Sequence, residues 1–495
     1  MKQIPTTEVV ASQAIPRKHT LLYLILAVAI LRLLSLGLYP LMDTTEARYA
    51  EIARIMVELD DWVTPWFDYG VPFWGKPPAS FWLTAISFKT FGINEFAARL
   101  PHWLAGVAVV WLSWGMAARR SPRLALYTTT LLLGSALFVV SAGAVMTDMA
   151  MLAGTAMAMR GFWLGLHGAD EDRRRERWWL FIGLGVGLLA KGPIALVLSA
   201  MPIALWAVFS GNVATAWRGL PWLRGVLITL LIAVPWYVLA ENRSPGFLDY
   251  FLIGEHWNRF LVPGWKGDLY GSAHDFPRGT IWLFLFTDLL PWTLLLPAFF
   301  VFRLSKRMQD KSTGGDRGWR IYLWLWALTP AVFFTFAGNI LWPYVLPGFP
   351  ALALLAGGWL ERDPEPKRVD RLLTMGLVTT LVLFSAFIVS LHVTGRDVDK
   401  SQKALVADYE TRKQAHEALV YLGKRQFSAD FYSRGKAQFV PDVTTLTQCL
   451  KRTSAYVAIP NGQTATLPPT LAQSLQRVSV HGRYTLYLAK HGGGK

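Results

Sequence analysis

The chain of 495 residues contains one cysteine, Cys449. A single thiol excludes an intrachain disulfide and any metal centre built on cysteines. Its simplest role is filler in a soluble region near the C-terminus. Also missing are a GxxxxGK[ST] loop and a dinucleotide fingerprint. Nothing in the chain therefore suggests a nucleotide-fuelled enzyme. No internal repeat is visible, and charged residues make up only 17%. Apolar residues, at 53%, dominate instead, with 23 Trp and 28 Phe. That composition suits lipid-facing helices with interfacial aromatic belts, and not a soluble protein of this length.

A membrane-spanning helix needs roughly 20 apolar residues. Eleven segments approach this: 21–41, 101–118, 124–144, 148–166, 178–190, 193–210, 222–240, 281–302, 320–337, 340–359 and 371–393. No small residues follow the first of them, so it reads as an uncleaved anchor. Basic residues orient the bundle. With Arg17 and Lys18 in the cytoplasm, alternate loops place Arg119, Arg120 and Arg123, then Arg173, Arg174, Arg175 and Arg177, inside as well. The same holds for Arg303, Lys306, Arg307 and Lys311, and for Arg362, Lys367, Arg368 and Arg371. The net charge of +16 is thus mostly topogenic. It points to membrane lipid, some of it anionic, and away from nucleic acid.

This divides the chain into a cytoplasmic tail (1–20), a membrane domain (21–393) with outer loops 42–100 and 241–279, and an outer soluble domain (394–495). Within the first outer loop, apolar residues from Thr45 to Leu59 recur at helical spacing. They predict an amphipathic helix along the membrane surface, with Glu51 and Arg54 on its solvated face. Phe81–Phe91 predicts a second interfacial helix. Asp310–Gly318 reads as a polar cytoplasmic linker. In the last hundred residues, 418–422, 455–459 and 484–488 read as strands, and 443–451 and 470–475 as helices. That alternation predicts a small α/β domain.

The unusual polar groups all fall on the outer side: Asp43, Glu46 and Arg48 after the first span, Lys76 in a Gly-Lys-Pro-Pro turn, Asp148 and Lys191 at helix ends, and Glu255, His256 and Arg259 in the second loop. Convergence on one face predicts one site. Lysine and arginine together provide a point charge and a bidentate fork for a lipid phosphate. A nearby carboxylate orients an acceptor or takes its proton. Lipid-phosphate sugar transfer needs both parts. Each residue also has a structural reading: Asp43 and Asp148 as helix caps, Lys191 as a snorkelling helix end, and Glu255 with His256 as a satisfied polar pair.

Taken in order, Arg48-Tyr-Ala-Glu-Ile-Ala-Arg54, Asp61-Trp62, Lys76-Pro77-Pro78 and Asn94-Glu-Phe-Ala-Ala-Arg99 resemble the first outer loop of bacterial lipid-linked glycosyltransferases. Thr147-Asp148, Ala190-Lys-Gly-Pro193, Pro235-Trp-Tyr237, Glu255-His256, Arg259-Phe260 and Pro343-Tyr-Val-Leu-Pro347 continue the match. The family is that of the lipid A aminoarabinose transferases, within the wider dolichyl-phosphate-mannose-type mannosyltransferase superfamily. The resemblance implies an all-α GT-C membrane fold of about 11–13 spans, with juxtamembrane helices and a small periplasmic α/β domain. It implies an inverting glycosyltransferase in the bacterial inner membrane. The donor would be a sugar on undecaprenyl phosphate, and the acceptor lipid A or another envelope acceptor. It further implies a catalytic acid at Asp43 or Glu46, with Asp148 in support, and donor-phosphate contacts from Lys76, Arg48, Lys191 and Arg259. Tyr49, Glu255, His256 and Tyr344 would surround them.

Three positions depart from the family pattern. Thr45 stands where relatives carry an Asp, which leaves Asp43 or Glu46 as the acid, Asp43 being preferred. Relatives often carry, before the lysine, a Glu that can bind a metal; Gly75 stands there, so the resemblance implies no certain cofactor and leaves a divalent metal as an open alternative. Asn339 follows Gly338 where a lysine is usual. Two other functions share many of these features. One is sugar transfer to protein Ser/Thr or polysaccharide on the same fold. The other is transport of a lipid-linked sugar, which calls for midplane polar residues and repeated halves.

Overall fold

The computed structural model describes residues 17–271, 274–301, 315–451 and 454–489. The basic segment with Arg303, Lys306, Arg307 and Lys311 lies outside these, as does most of the expected tail 1–20. The first helix, Arg17–Ser35, begins inside that tail. Each of the other predicted spans falls on helix. These are Glu95–Ala118, the pair Pro122–Leu133 and Ala136–Ser141, then Asp148–His167, Asp170–Lys191, Pro193–Phe209 and Trp222–Arg243. Thr280–Asp288 with Trp292–Val301, Gly315–Thr335, Trp342–Glu361 and Pro366–Val393 complete the set. Helix Gly315–Thr335 takes in the second half of the expected linker 310–318.

Five of these helices are individually long and apolar enough to cross a membrane, or six when the pair bent by 80° at 288–292 counts as one. The eleven expected spans are thus helical without all being full-length single spans. Asp170–Lys191 carries a charged first half, and Ala136–Ser141 is a short fragment. Helices 148–167 and 170–191 form a hairpin of matched length. A Cβ on Gly154 would lie 2.7 Å from the Gly187 amide nitrogen, and one on Gly161 2.2 Å from that of Leu180. Glycines let the two backbones touch, the packing device of helices in lipid. The hairpin brings its first residue, Asp148, level with its last, Lys191.

The first outer loop holds helix Thr45–Leu59, a two-stranded ribbon of β1 (Trp66–Asp68) and β2 (Val71–Pro72), and helix Ala79–Phe91. The expected surface helix differs in one respect. Its whole stretch from Tyr49 to Met56 is buried, including Glu51 and Arg54. Arg54 donates to both Glu51 oxygens at 2.7 Å, and Gly435 of the C-terminal domain sits against its guanidinium. The charged face is covered by protein instead of water.

After helix 366–393 the chain forms a three-layer α/β unit. Its strands are β3 (Ala418–Leu422), β4 (Ala437–Val440), β5 (Ala455–Pro460), β6 (Leu475–His481) and β7 (Tyr484–Ala489), in the order β4-β3-β5-β7-β6. β3 runs parallel to β4 and β5, and β7 antiparallel to β5 and β6. Leu419 and Tyr421 enter the core beneath helix Lys403–Arg412, while Val420 and Leu422 enter the core beneath helix Val443–Leu450. Helix Phe427–Ser433 plugs Phe427 and Phe431 into the aromatic cluster of the first outer loop.

Candidate active site

A cavity of about 500 Å³ opens at the end of the bundle that carries the two long loops. Lys76, Lys191, Glu255, His256, Arg259 and Tyr344 line it, six of the residues expected to form a site. Its remaining wall is largely apolar, with Met151, Ile194, Val197, Leu252, Phe260 and Phe333. One end is therefore cationic and the rest greasy, the division a phosphorylated lipid presents.

Glu255 organises the charged end. Its Oε2 accepts from Lys76 Nζ at 2.8 Å, and Arg259 Nη1 donates to both oxygens at 3.1 and 3.2 Å. The Tyr250 hydroxyl donates to Oε1 at 3.3 Å. Burial opposes ionisation of Glu255, but Lys76 and Arg259 outweigh it and bring its pKa down to about 2. Burial also disfavours the Lys76 ammonium, yet the Glu255 charge raises its pKa, so the pair stays ionised. Arg259 Nη1 also reaches Asp268 at 3.3 Å. Its Nε and Nη2 make no hydrogen bond among the described residues, leaving part of the fork open.

Lys191 ends its helix and Asp148 begins the other, each where the helix dipole favours its charge. Lys191 Nζ donates to Asp148 Oδ1 at 2.5 Å and lies 4.5 Å from the centre of the Tyr344 ring. Gly192 makes the turn to the next helix at φ +83°, with the Phe251 ring where a Cβ would sit. His256 faces two carbonyls, Phe251 O at 2.7 Å and Lys191 O at 3.3 Å. Burial lowers its pKa and favours neutral imidazole. Among the described residues no three His, Cys, Asp or Glu side chains cluster as a metal site requires.

The remaining expected residues do not line the cavity. Glu46 is gripped by Arg99, at 3.0 Å from Nε and 2.9 Å from Nη2, and its Oε1 accepts from the Val145 amide at 3.2 Å. Arg99 outweighs burial and lowers the Glu46 pKa. Asp43 accepts from the Ser428 amide at 3.0 Å and from the Ser428 hydroxyl. It thereby caps a helix of the C-terminal domain, and burial raises its pKa. Arg48 Nη1 donates to Tyr270 O at 2.6 Å, while its Nε is buried without a partner among the described residues. Tyr49 packs edge-on between Phe73 and Phe81.

Three supporting residues carried no recognisable sequence signal for their roles. Tyr270 donates to Pro72 O at 2.8 Å and accepts from the Trp74 amide at 2.9 Å, fixing the turn that presents Lys76. Asp268 backs Arg259. Asn339 donates to Arg259 O at 2.6 Å and Val262 O at 2.8 Å. Asn339 thus clips the backbone of the segment that carries Arg259.

Residues 19–251 match the family model of dolichyl-phosphate-mannose-protein mannosyltransferases. The undecaprenyl phosphate-alpha-4-amino-4-deoxy-L-arabinose arabinosyl transferase 1 of Pseudomonas fluorescens (strain Pf0-1) is 30% identical over 78% of this chain and 64% of its own length. The corresponding transferase of Edwardsiella ictaluri is 32% identical over 64% of this chain and 55% of its own. The chain thus spans less than two thirds of either relative. The crystal structure of ArnT from Cupriavidus metallidurans bound to undecaprenyl phosphate superposes with a TM-score of 0.80 at 21% identity, covering 96% of this chain and 99% of that one. The fold is the GT-C membrane fold of that protein, with several apolar helices and a small C-terminal sheet domain.

Proposed function

We propose, from the premise that this chain is a relative of the aminoarabinose transferases, that it is an inverting glycosyltransferase of the bacterial inner membrane. Its donor is a sugar on undecaprenyl phosphate. Its acceptor is lipid A or a similar envelope glycolipid, and the sugar is aminoarabinose or one like it. The N-terminus is cytoplasmic, and the cavity and C-terminal domain face the periplasm. One observation carries this reading: Lys76, Arg259 and Lys191 stand together at the cationic end of a cavity whose long wall is apolar.

In the reaction the bond between the anomeric carbon and the phosphate oxygen breaks, and its electron pair stays on the phosphate. An acceptor oxygen bonds to the opposite face of the same carbon. The leaving phosphate gains a second negative charge, and fixed cations aimed at developing charge are the strongest help a site gives. Lys76 and the open part of the Arg259 fork supply them, while Glu255 holds both in place. Asp148, held by Lys191, orients the acceptor or takes its proton where the acceptor is a hydroxyl. Asp43 and Glu46 do so only after leaving Ser428 and Arg99.

The test is purified protein incubated with polyprenyl-phosphate sugars and candidate acceptors, with products identified by mass spectrometry. Donor consumption with sugar appearing on a lipid acceptor is the expected result. Lipid moving across vesicles with no donor consumed overturns the transferase reading in favour of transport.

A further inference from the structure

A second cavity, of about 360 Å³, lies where the C-terminal domain meets the first outer loop. Glu51, Asp68, Tyr69, Arg425, Asp430 and Gln438 line it, and none of them enters the reaction drawn above. Its charged groups are fixed by one another. Arg425 donates from Nε to Asp430 Oδ2 at 2.6 Å and pairs through Nη1 with Asp68 Oδ2 at 2.9 Å. Arg54 holds Glu51 and reaches on to Glu58. Four carboxylates thus stand against two guanidinium groups, so the lining stays acidic even with Asp430 protonated. Arg425 Nη2 and the exposed Gln438 amide make no hydrogen bond among the described residues. The Arg425 guanidinium lies 5.2 Å from the centre of the Phe67 ring, and Phe67 packs on Tyr270 with ring centres 5.0 Å apart. Tyr270 fixes the turn that presents Lys76, so an aromatic layer parts this cavity from the cationic one.

We propose that this second cavity binds the unphosphorylated saccharide part of the acceptor. This rests on the function proposed above and names the part of the acceptor that is recognised. The volume falls within the roughly 300–1,000 Å³ of small-molecule sites. Neighbouring hydroxyls on a sugar ring each donate and accept. They match the fixed carboxylates, the open edge of the Arg425 guanidinium and the Gln438 amide, which together offer both kinds of partner. The exposed Tyr69 ring gives an apolar face for the C–H groups of the sugar. A phosphate is disfavoured by charge, since carboxylates outnumber guanidinium groups here, whereas the first cavity gathers Lys76, Lys191 and Arg259. A bare cation would leave the donors of Arg425 and Gln438 unused. A sugar seated here holds the acceptor one aromatic layer from the donor, which is the service positioning gives a two-substrate reaction.

Two readouts test this. In the first, saturation-transfer NMR on the purified protein in nanodiscs uses glucosamine, glucose 6-phosphate and methylammonium as probes. Glucosamine should bind about tenfold more tightly than glucose 6-phosphate, because like charges set against each other are costly. Methylammonium, which brings charge without hydroxyls, should not displace it. Gln438→Trp fills the cavity from an exposed position on the edge strand β4, and Asp68→Asn keeps the shape of its side chain. Each should weaken glucosamine binding about tenfold. No glucosamine binding to wild type, preference for the phosphate, displacement by methylammonium, or unchanged binding in either variant overturns the site. In the second readout, Gln438→Trp should raise KM for a glycolipid acceptor about tenfold. kcat and the KM for the donor should stay within about twofold. Equal rises in both KM values overturn the acceptor role. If wild-type protein consumes no donor, the failure lies with the proposed reaction, and the NMR binding still decides the saccharide site.

Discussion

Arg99 and Arg259 make opposite use of the same side chain. Arg99 spends its guanidinium on five protein bonds, two to Glu46 and three to the carbonyls of Leu36, Tyr39 and Pro40, and is fully buried. Arg259 engages only Nη1, on the two carboxylates Glu255 and Asp268, and faces the cavity. Both lie on the loop end of the bundle, and both sit among residues that look alike in sequence. The difference separates a structural latch from the proposed ligand site: donors that the protein leaves unspent are the ones a ligand could use. Glu46 and Asp43 are likewise held by protein donors, the first by Arg99 and the second by Ser428, whereas Lys76 lines the cavity with Arg259.

The comparison breaks most sharply through stability. Glu46→Gln strips Arg99 of its counter-charge while leaving it buried, which costs about 3–5 kcal/mol. Thermal scanning should show a large drop in the unfolding midpoint, with folded protein keeping its specific activity. Retained stability with lost activity would move Glu46 into the catalytic group. Lys76→Ala or Arg259→Ala should do the reverse. Removing one preorganised charge at a leaving group lowers kcat by about 10²–10³-fold, with the protein still expressed and inserted. Initial rates on a saturating donor measure this.

How far the two groups were legible depends on what each kind of signal reports. The helical periodicity of 45–59 marked the loop helix, and the ordered motifs marked Lys76, Lys191, Glu255, His256, Arg259 and Tyr344, all of which meet in the cavity. β3, β5 and β7 are interior strands with apolar runs and were visible. β4 and β6 are the two edges of the sheet, half exposed and weakly patterned, and were not. Placement of Asp43 was beyond reach for another reason. Its partner, Ser428, is 385 residues away, and nothing local in either segment encodes the meeting. The same applies to Glu51 and Arg54, which periodicity assigns to a wet face. The domain that covers them comes from the far end of the chain.

That covering domain gives a pH-dependent contrast between latch and cavity. Asp430, beside Glu51 and Arg425, has its pKa pushed up to about 7 by burial, despite Arg425 Nε at 2.6 Å. Its folded pKa is above its unfolded value of about 3.9, so the folded state binds more protons between the two. The stability it contributes is fully present below about pH 3.9 and is lost as pH rises through about 7, at no more than about 1.4 kcal/mol per pH unit. Glu51 shifts in the same direction. Glu255 shifts the other way, so its contribution is complete above about pH 4.3 and is lost only as pH falls towards about 2. Unfolding midpoints should therefore fall between about pH 5 and pH 8 in wild type. The Asp430→Asn variant should flatten that fall.

The smallest effect is the most discriminating. Asp43 accepts from both the amide and the hydroxyl of Ser428 at the start of helix 427–433. Loss of such a cap costs about 0.5–2 kcal/mol. Ser428→Ala removes only the hydroxyl bond and leaves the Asp43 carboxylate in place, whereas Asp43→Asn removes the charge and keeps the shape. If Asp43 is only a latch, both variants should lower the midpoint by a few degrees and leave kcat within about twofold. If Asp43 swings from Ser428 to the acceptor during turnover, the two must diverge. Ser428→Ala frees the carboxylate and keeps or raises kcat, while Asp43→Asn abolishes it. Steady-state rates of the two variants, measured side by side, decide which group Asp43 belongs to.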